Sequence, residues 1–230
     1  MKKLGIDIWS DIACPWCYVG KRRLERALAT FPHEVEITWR AFELDPEAPP
    51  MRDPSVSQSQ HIAQKYGIPV EAADARLRDM TLMAKEDGLE LRFDLVRSGN
   101  TFDGHRVVHF ATERGCGGEM KERILRAYMT EGQLVSDPDV LVRLGSEVGL
   151  DGVDVRKMLE SGTCADAVRA DEREAEALGI RGVPFFVIDG RHGVSGAQPA
   201  GQLLEVLHKA WSERPAERVD GNVCVPERCT

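Results

Sequence analysis

Cys14-Pro15-Trp16-Cys17 places two thiols one helical turn apart, directly after the apolar run Leu4-Gly5-Ile6-Asp7-Ile8-Trp9 and at the opening of a segment with helical apolar spacing. A helix start presents unpaired backbone N–H groups and a partial positive charge, which favour a thiolate at Cys14. Cys14 is therefore the expected nucleophile, and the more exposed and more acidic thiol of the pair. Cys17 lies one turn further in, where it can attack a mixed disulfide on Cys14 and release the partner, so the pair can cycle between dithiol and disulfide. Pro15 suits a first helical turn, where its missing N–H costs no internal bond. Trp16 is expected to form part of the surface a substrate touches.

The same Cys-x2-Cys spacing also serves zinc, and Cys224 and Cys229 could supply a second half-site. A strand running straight into a helix favours redox chemistry over a zinc knuckle, although a non-enzymatic zinc or protein-binding module stays as an alternative. Cys224 and Cys229 sit on a polar tail with little apolar material to bury them. They read first as a disulfide-capable pair, second as an exchange partner of Cys14 and Cys17, and third as metal ligands. Cys116 and Cys164 read as small packed residues. His61, His109 and His208 stand singly, with no ligand-spaced partners, so no metal site is expected.

The chain has 230 residues, enough for one large domain or a domain with a sizeable insertion, and it needs no disulfides to fold. A net charge of −8, with Lys21-Arg22-Arg23 as the only short basic cluster, argues against a nucleic-acid partner. Asp7 and Asp11 interrupt any signal-like apolar stretch, and no segment approaches a membrane span. A cytoplasmic location is the default expectation, where a Cys-x-x-Cys beside a βαβ pattern reads as catalytic.

These residues need a β-α-β unit to position them. Leu4 to Trp9 reads as a strand, and Cys14 to Phe31 as a helix with Leu24, Ala27, Leu28 and Phe31 on one face. Val35, Ile37 and Trp39 alternate as a second, parallel strand. After Leu44 come prolines and then mainly helical signals: one helix starting at Asp53-Pro54 and ending near Gly67, and one running to Gly88. Asn100 is expected to cap a helix ending near Gly115, Asp137-Pro138 starts another, and Cys164 to Leu178 forms one closed by Gly179. β structure returns at Pro184 to Ile188, turns at Asp189-Gly190 and continues from His192 to Ser195. A last helix runs from about Pro199 to Trp211 with Leu203, Leu204, Val206 and Leu207 as its core face. The division is residues 1-44 with 180-212, a helical insertion at 45-179, and a tail at 213-230.

The order β-α-β, helical insert, β-β-α with Cys-x-x-Cys at the first helix resembles the thioredoxin superfamily, and the large insert is similar to its DsbA branch. Four stretches together resemble the FrnE-like group: Trp9-Ser10-Asp11 before Cys14-Pro15-Trp16-Cys17-Tyr18-Val19-Gly20, Gly99-Asn100-Thr101 with His105-Arg106, Gly182-Val183-Pro184-Phe185-Phe186-Val187, and Ser195-Gly196-Ala197-Gln198. The likeness spans about residues 3 to 211. It implies an α/β thioredoxin fold with an inserted all-helical domain. It also implies a cis Val183-Pro184 bond facing the cysteines, with Val183 offering its backbone to an extended substrate.

Relatives in the same branch include glutathione-dependent hydroxychromene-carboxylate isomerases and kappa-class glutathione transferases. By that likeness Asn100 and His105 lie near the cleft, and Ser195-Gly196 opens the last helix, where it can bind a glutathione carboxylate. Two cysteines depart from those enzymes and weaken an isomerase or transferase reading. The expectation is a protein disulfide oxidoreductase or disulfide isomerase acting through mixed disulfides on protein disulfides, dithiols or small thiols. No tightly bound cofactor is expected, glutathione could serve as co-substrate, and the protein is expected as a monomer or homodimer.

Overall fold

The computed structural model describes residues 3–214. Its sheet has four strands in the order β2-β1-β3-β4, with β1 (Leu4–Ser10) at its centre. Strand β1 pairs in parallel with β2 (Val35–Ala41), across the crossover helix α1 (Pro15–Leu28). It pairs antiparallel with β3 (Phe185–Ile188), and β3 in turn pairs antiparallel with β4 (His192–Ser195). Leu4, Ile6 and Ile8 all point into the main core and are fully buried, together with Leu24 and Ala27 of α1. A one-residue slip of β1 would turn all three out of the main core to the opposite face of the sheet. That opposite face is covered as well: Trp9 packs with Ala175 and Ile180.

Seven helices lie between β2 and β3: α2 (Gln58–Tyr66), α3 (Val70–Glu86), α4 (Phe102–Thr112), α5 (Gly117–Met129), α6 (Pro138–Glu147), α7 (Gly152–Glu160) and α8 (Ala165–Ala177). Their apolar faces join the sheet's core in one continuous cluster, through Val107, Ile124, Leu141 and Val155 among others. The chain closes with α9 (Ala200–Ser212), which buries Leu203, Leu207 and Ala210 and lies against α1, whereas Leu204 and Val206 are half-buried. Among the described residues no helix is long and apolar enough to cross a membrane.

Four boundaries depart from the expectations, the first being the end of α1 at Leu28 rather than Phe31. Helix α2 begins at Gln58, not Asp53-Pro54, because Asp53 spends its carboxylate on the Ser55 N–H and hydroxyl. Ser57 and Gln60 instead form a reciprocal capping box. Thr101, not Asn100, holds the N-cap position of α4, with Asn100 one residue earlier accepting the Phe102 N–H at 2.8 Å; the helix ends at Thr112 rather than Gly115, and Cys116 already precedes α5. Ser195 ends β4 and does not open the last helix, which starts five residues later.

Asp171 of α8 fastens the helices to the sheet. Its buried carboxylate accepts the Ala41 N–H (2.8 Å), His109 Nε2 (2.8 Å) and the Arg40 guanidinium (3.2 Å), and its carbonyl accepts the Trp9 indole N–H (2.9 Å). Asp171→Ala would remove the acceptor of donors from two elements, β2 and α4, while the backbone carbonyl keeps its bond to Trp9. It is expected to lower unfolding free energy in urea by about 2–4 kcal/mol, far more than an exposed-acid control such as Asp166→Ala.

Candidate active site

Cys14 occupies the position before the first residue of α1, in extended backbone geometry, and Pro15 opens the helix. The Cys14 carbonyl accepts the Cys17 N–H at 3.0 Å, closing the first turn. Both thiols are buried, Cys14 at 5% exposure and Cys17 at 1%, so Cys14 is the more accessible by a narrow margin. Trp16, at 43%, is the exposed member of the motif. Across from it, the Val183-Pro184 peptide bond is cis, and the Cys14 thiol donates to the Val183 carbonyl at 3.5 Å. The Pro184 carbonyl is held by the Gly196 N–H at 2.8 Å, which joins this loop to the residue after β4.

Gly20 permits that approach. A Cβ at this position would meet Pro184 Cγ at 2.9 Å and the Phe186 ring at 3.3 Å. A proline ring cannot swing aside as a flexible side chain would, so the absence of a side chain at Gly20 sets how closely the Val183-Pro184 loop rests on α1.

Beneath the thiols lies a buried polar layer. The Asp11 Oδ1 atom accepts from the Ala13 N–H (3.2 Å) and the Thr101 hydroxyl (3.0 Å), with His105 Nε2 at 3.4 Å, and Oδ2 accepts the Leu44 N–H at 2.8 Å. Burial pushes the Asp11 carboxyl up, but His105 and the two backbone N–H groups outweigh it and hold the group below the usual carboxylate range. Burial, reinforced by the charge of Lys121, keeps His105 below its ordinary value against the pull of Asp11. Lys121 of α5 is 1% exposed. Its ammonium donates to the Ser10 carbonyl at 3.3 Å and lies over the Trp39 ring. Desolvation drives it down to about 8, opposed by the negative potential of Cys17, Asp11 and Cys14.

The surroundings of the reduced pair work against the acidity expected of Cys14 at a helix start. The hydrogen bond with Cys17, then burial, then the charge of Cys17 push the Cys14 thiol well above the ordinary cysteine value; Asp11 adds to this, while the Cys17 N–H pulls the other way. The helix terminus is present, but a dry site with a second sulfur and a buried carboxylate outweighs it.

The structure brings Cys14, Cys17, Pro15, Trp16, Val183 and Pro184 together. Asn100 instead donates to Glu43 Oε1 and the Pro46 carbonyl and accepts the Phe102 N–H, His105 is buried on Asp11, and Ser195 is exposed at the end of β4. Cys224 and Cys229 lie outside the described residues. Cys116 and Cys164 pack against the main core. Among the described residues no cluster of three or more His, Cys, Asp or Glu is placed to hold a metal ion.

Asp11, Thr101 and Lys121 were not assigned roles from sequence. For Lys121 a signal existed: it falls on the same helical face as Ile124, Leu125 and Tyr128, where a charge is out of pattern. A cavity of about 660 Å³ opens beside Cys14, Pro15 and Trp16 and runs between α2, α3 and the loops around Leu44 and Gly99.

Two expectations follow from this geometry. Gly20→Ala would ordinarily favour a helix by about 1 kcal/mol; here it should lower the melting temperature and cut turnover of a disulfide peptide by ~10-fold or more as the Val183 loop shifts from Cys14. Lys121, depressed from 10.5 to about 8 in the folded state, carries a burial penalty of about 3 kcal/mol whenever both states are charged. That penalty is full below pH 8 and fades as pH climbs toward 10.5. Lys121→Met should therefore be the more stable protein at pH 7, by about 1–3 kcal/mol, with the difference shrinking by pH 9.5 in paired denaturant titrations.

Residues 5–208 match the DSBA-like thioredoxin domain family. The chain is 33% identical over 218 residues to the uncharacterized protein YwbO of Bacillus subtilis, covering 93% of this chain and 98% of that one. Among solved structures it is similar to the probable DsbA oxidoreductase of Streptomyces coelicolor, with a TM-score of 0.87, 43% identity and coverage of 99% and 98% of the two chains. It shares its fold with the cytosolic disulfide reductase DsbM of Pseudomonas aeruginosa at 21% identity and a TM-score of 0.60, over 90% and 95% of the chains. With two thiols at the start of α1, a cis-proline loop against them and a helical insertion between β2 and β3, the chain belongs to the DSBA-like thioredoxin domain family.

Proposed function

We propose that this protein is a thiol–disulfide oxidoreductase that uses Cys14-Pro15-Trp16-Cys17 through a mixed-disulfide intermediate. The observation that carries the reading is the Cys14 sulfur at the start of α1, 3.5 Å from the Val183 carbonyl, with Cys17 one turn behind it. An extended disulfide-bearing chain lying along Val183 would present its sulfur to Cys14. Cys14 attacks as the thiolate and forms a mixed disulfide while the distal substrate thiolate leaves. Cys17 then attacks Cys14, releases the second thiol and leaves the internal disulfide. Trp16 and the Val183 backbone supply the substrate surface. A small thiol such as glutathione, or a protein dithiol, can reset the pair.

The environment of Cys14 bears on the direction of electron flow. Strong oxidants of this chemistry have a reduced form stabilised by an unusually acidic thiol. Here Cys17 and burial push the Cys14 thiol up, which does not match that pattern at Cys14. Cytoplasmic location fits a dithiol that must be kept reduced.

The roles of the two cysteines separate by substitution. Cys14→Ser is expected to abolish insulin disulfide reduction, whereas Cys17→Ser should accumulate a covalent adduct with substrate, visible by intact mass and released by excess dithiothreitol. Retained activity in Cys14→Ser, or adducts forming on Cys17 instead, would overturn the assignment.

A further inference from the structure

The Val183 edge and the cavity approach Cys14 from different sides. Cys14, Pro15 and Trp16 line the cavity, but Val183 and Pro184 do not. An extended chain lying along the Val183 backbone therefore leaves the cavity beside Cys14 open. Its volume, about 660 Å³, falls within the ~300–1,000 Å³ typical of small-molecule sites.

The lining is chemically uneven. Ile62, Leu77, Met80, Met83, Phe93 and Val96 form apolar walls from α2, α3 and the segment after α3. Methionines and an aromatic ring adapt to flat, apolar guests. The charged groups are fewer and balance, with Arg52, Lys65 and Arg76 against Asp11, Asp45 and Asp79. Asp11 is buried with both carboxylate oxygens bonded and Asp45 is paired with Arg52, whereas Lys65 and Arg76 are exposed and have no ion pair among the described residues, which leaves two uncommitted cations at the rim of the apolar chamber.

We infer that the cavity is a binding site for a low-molecular-weight disulfide with a flat apolar body and a negatively charged group, held with one sulfur at Cys14. This rests on the dithiol reading above and names a second substrate class for the same sulfur. In the reaction Cys14, as thiolate, attacks R–S–S–R′; the Cys14–S–S–R bond forms and R′–S⁻ leaves. Cys17, as thiolate, then displaces R–S⁻ and forms the Cys14–Cys17 disulfide. The two protons lost by the protein thiols end on the two product thiols, and two electrons pass from protein to substrate. A small dithiol in solution resets the enzyme by the reverse exchange.

The probe is 5,5′-dithiobis(2-nitrobenzoate), an aromatic disulfide with two carboxylates, compared with glutathione disulfide and with a disulfide-bonded peptide, each under stopped-flow single turnover of the reduced protein. The aromatic disulfide is expected to show saturation with concentration. Met83→Trp, which fills the chamber from α3, should raise its half-saturation concentration, and lower its rate relative to that of the peptide, by ~10-fold or more. Lys65→Glu/Arg76→Glu, at exposed positions where folding is not at stake, should weaken the aromatic dianion by at least ~3-fold while shifting an uncharged diaryl disulfide less.

A strictly linear concentration dependence, or an unchanged ratio of aromatic to peptide rates in both variants, would overturn the cavity assignment while the oxidoreductase reading stands. Loss of reactivity toward all three disulfides in the parent protein would instead sink the dithiol reading itself. Should Met83→Trp misfold by circular dichroism, Leu77→Trp takes its place, and the charge variant still decides the question.

Discussion

A fully buried carboxylate beneath the dithiol governs how this molecule is assembled. An ionised acid taken out of water costs several kcal/mol unless its oxygens are satisfied, so Asp11 must find donors or the site cannot form. It finds them in separate parts of the chain: the Ala13 N–H in the loop that leads to Cys14, the Leu44 N–H just beyond β2, and Thr101 and His105 at the start of α4. One bond fixes the approach to the nucleophile, and the others bring the helical segment against it. Close contact at Gly104 follows from the same constraint, since a Cβ there would lie 2.6 Å from Ile12 Cδ1 in the loop between Asp11 and Cys14.

Placing an anion there has an electrostatic consequence for the sulfurs above it. The neighbouring thiol and burial oppose ionisation of Cys14, and Asp11 adds to both. Lys121 supplies the compensating charge, at a desolvation cost that shows in its own depressed titration. The dithiol thus sits between a carboxylate and an ammonium that are both out of water, where Coulombic interactions are weakly screened. The same packing that positions the pair for exchange therefore also opposes charge on Cys14.

The two-faced burial of the sheet explains why the elements could be read in advance. Leu4, Ile6 and Ile8 alternate with Gly5 and Asp7, α1 carries Leu24 and Ala27 at helical spacing, and β3 and β4 flank an Asp189-Gly190 turn whose two residues both have positive φ. These are local patterns, and their physical causes act within a few residues of one another. Errors arose where two local signals competed. Asp53 before Pro54 is a plausible helix start, yet its side chain closes a turn onto Ser55, and the reciprocal bonds of Ser57 and Gln60 offer α2 a better-satisfied beginning.

At the site, the sequence by itself determined the chemistry and its position: two cysteines one turn apart at a strand-to-helix junction, and a proline loop before β3 that the likeness to a known family set opposite them. What the thiols experience was decided by tertiary structure. The acidity of Cys14 follows from Cys17, burial and Asp11, and Lys121 arrives at the site from a helix more than a hundred residues away along the chain. The cavity likewise belongs to no single segment, because its walls come from α2, α3 and the loops that α4 and β2 hold in place. Local spacing can specify which groups react; desolvation and long-range charge depend on everything that surrounds them, and only packing sets that.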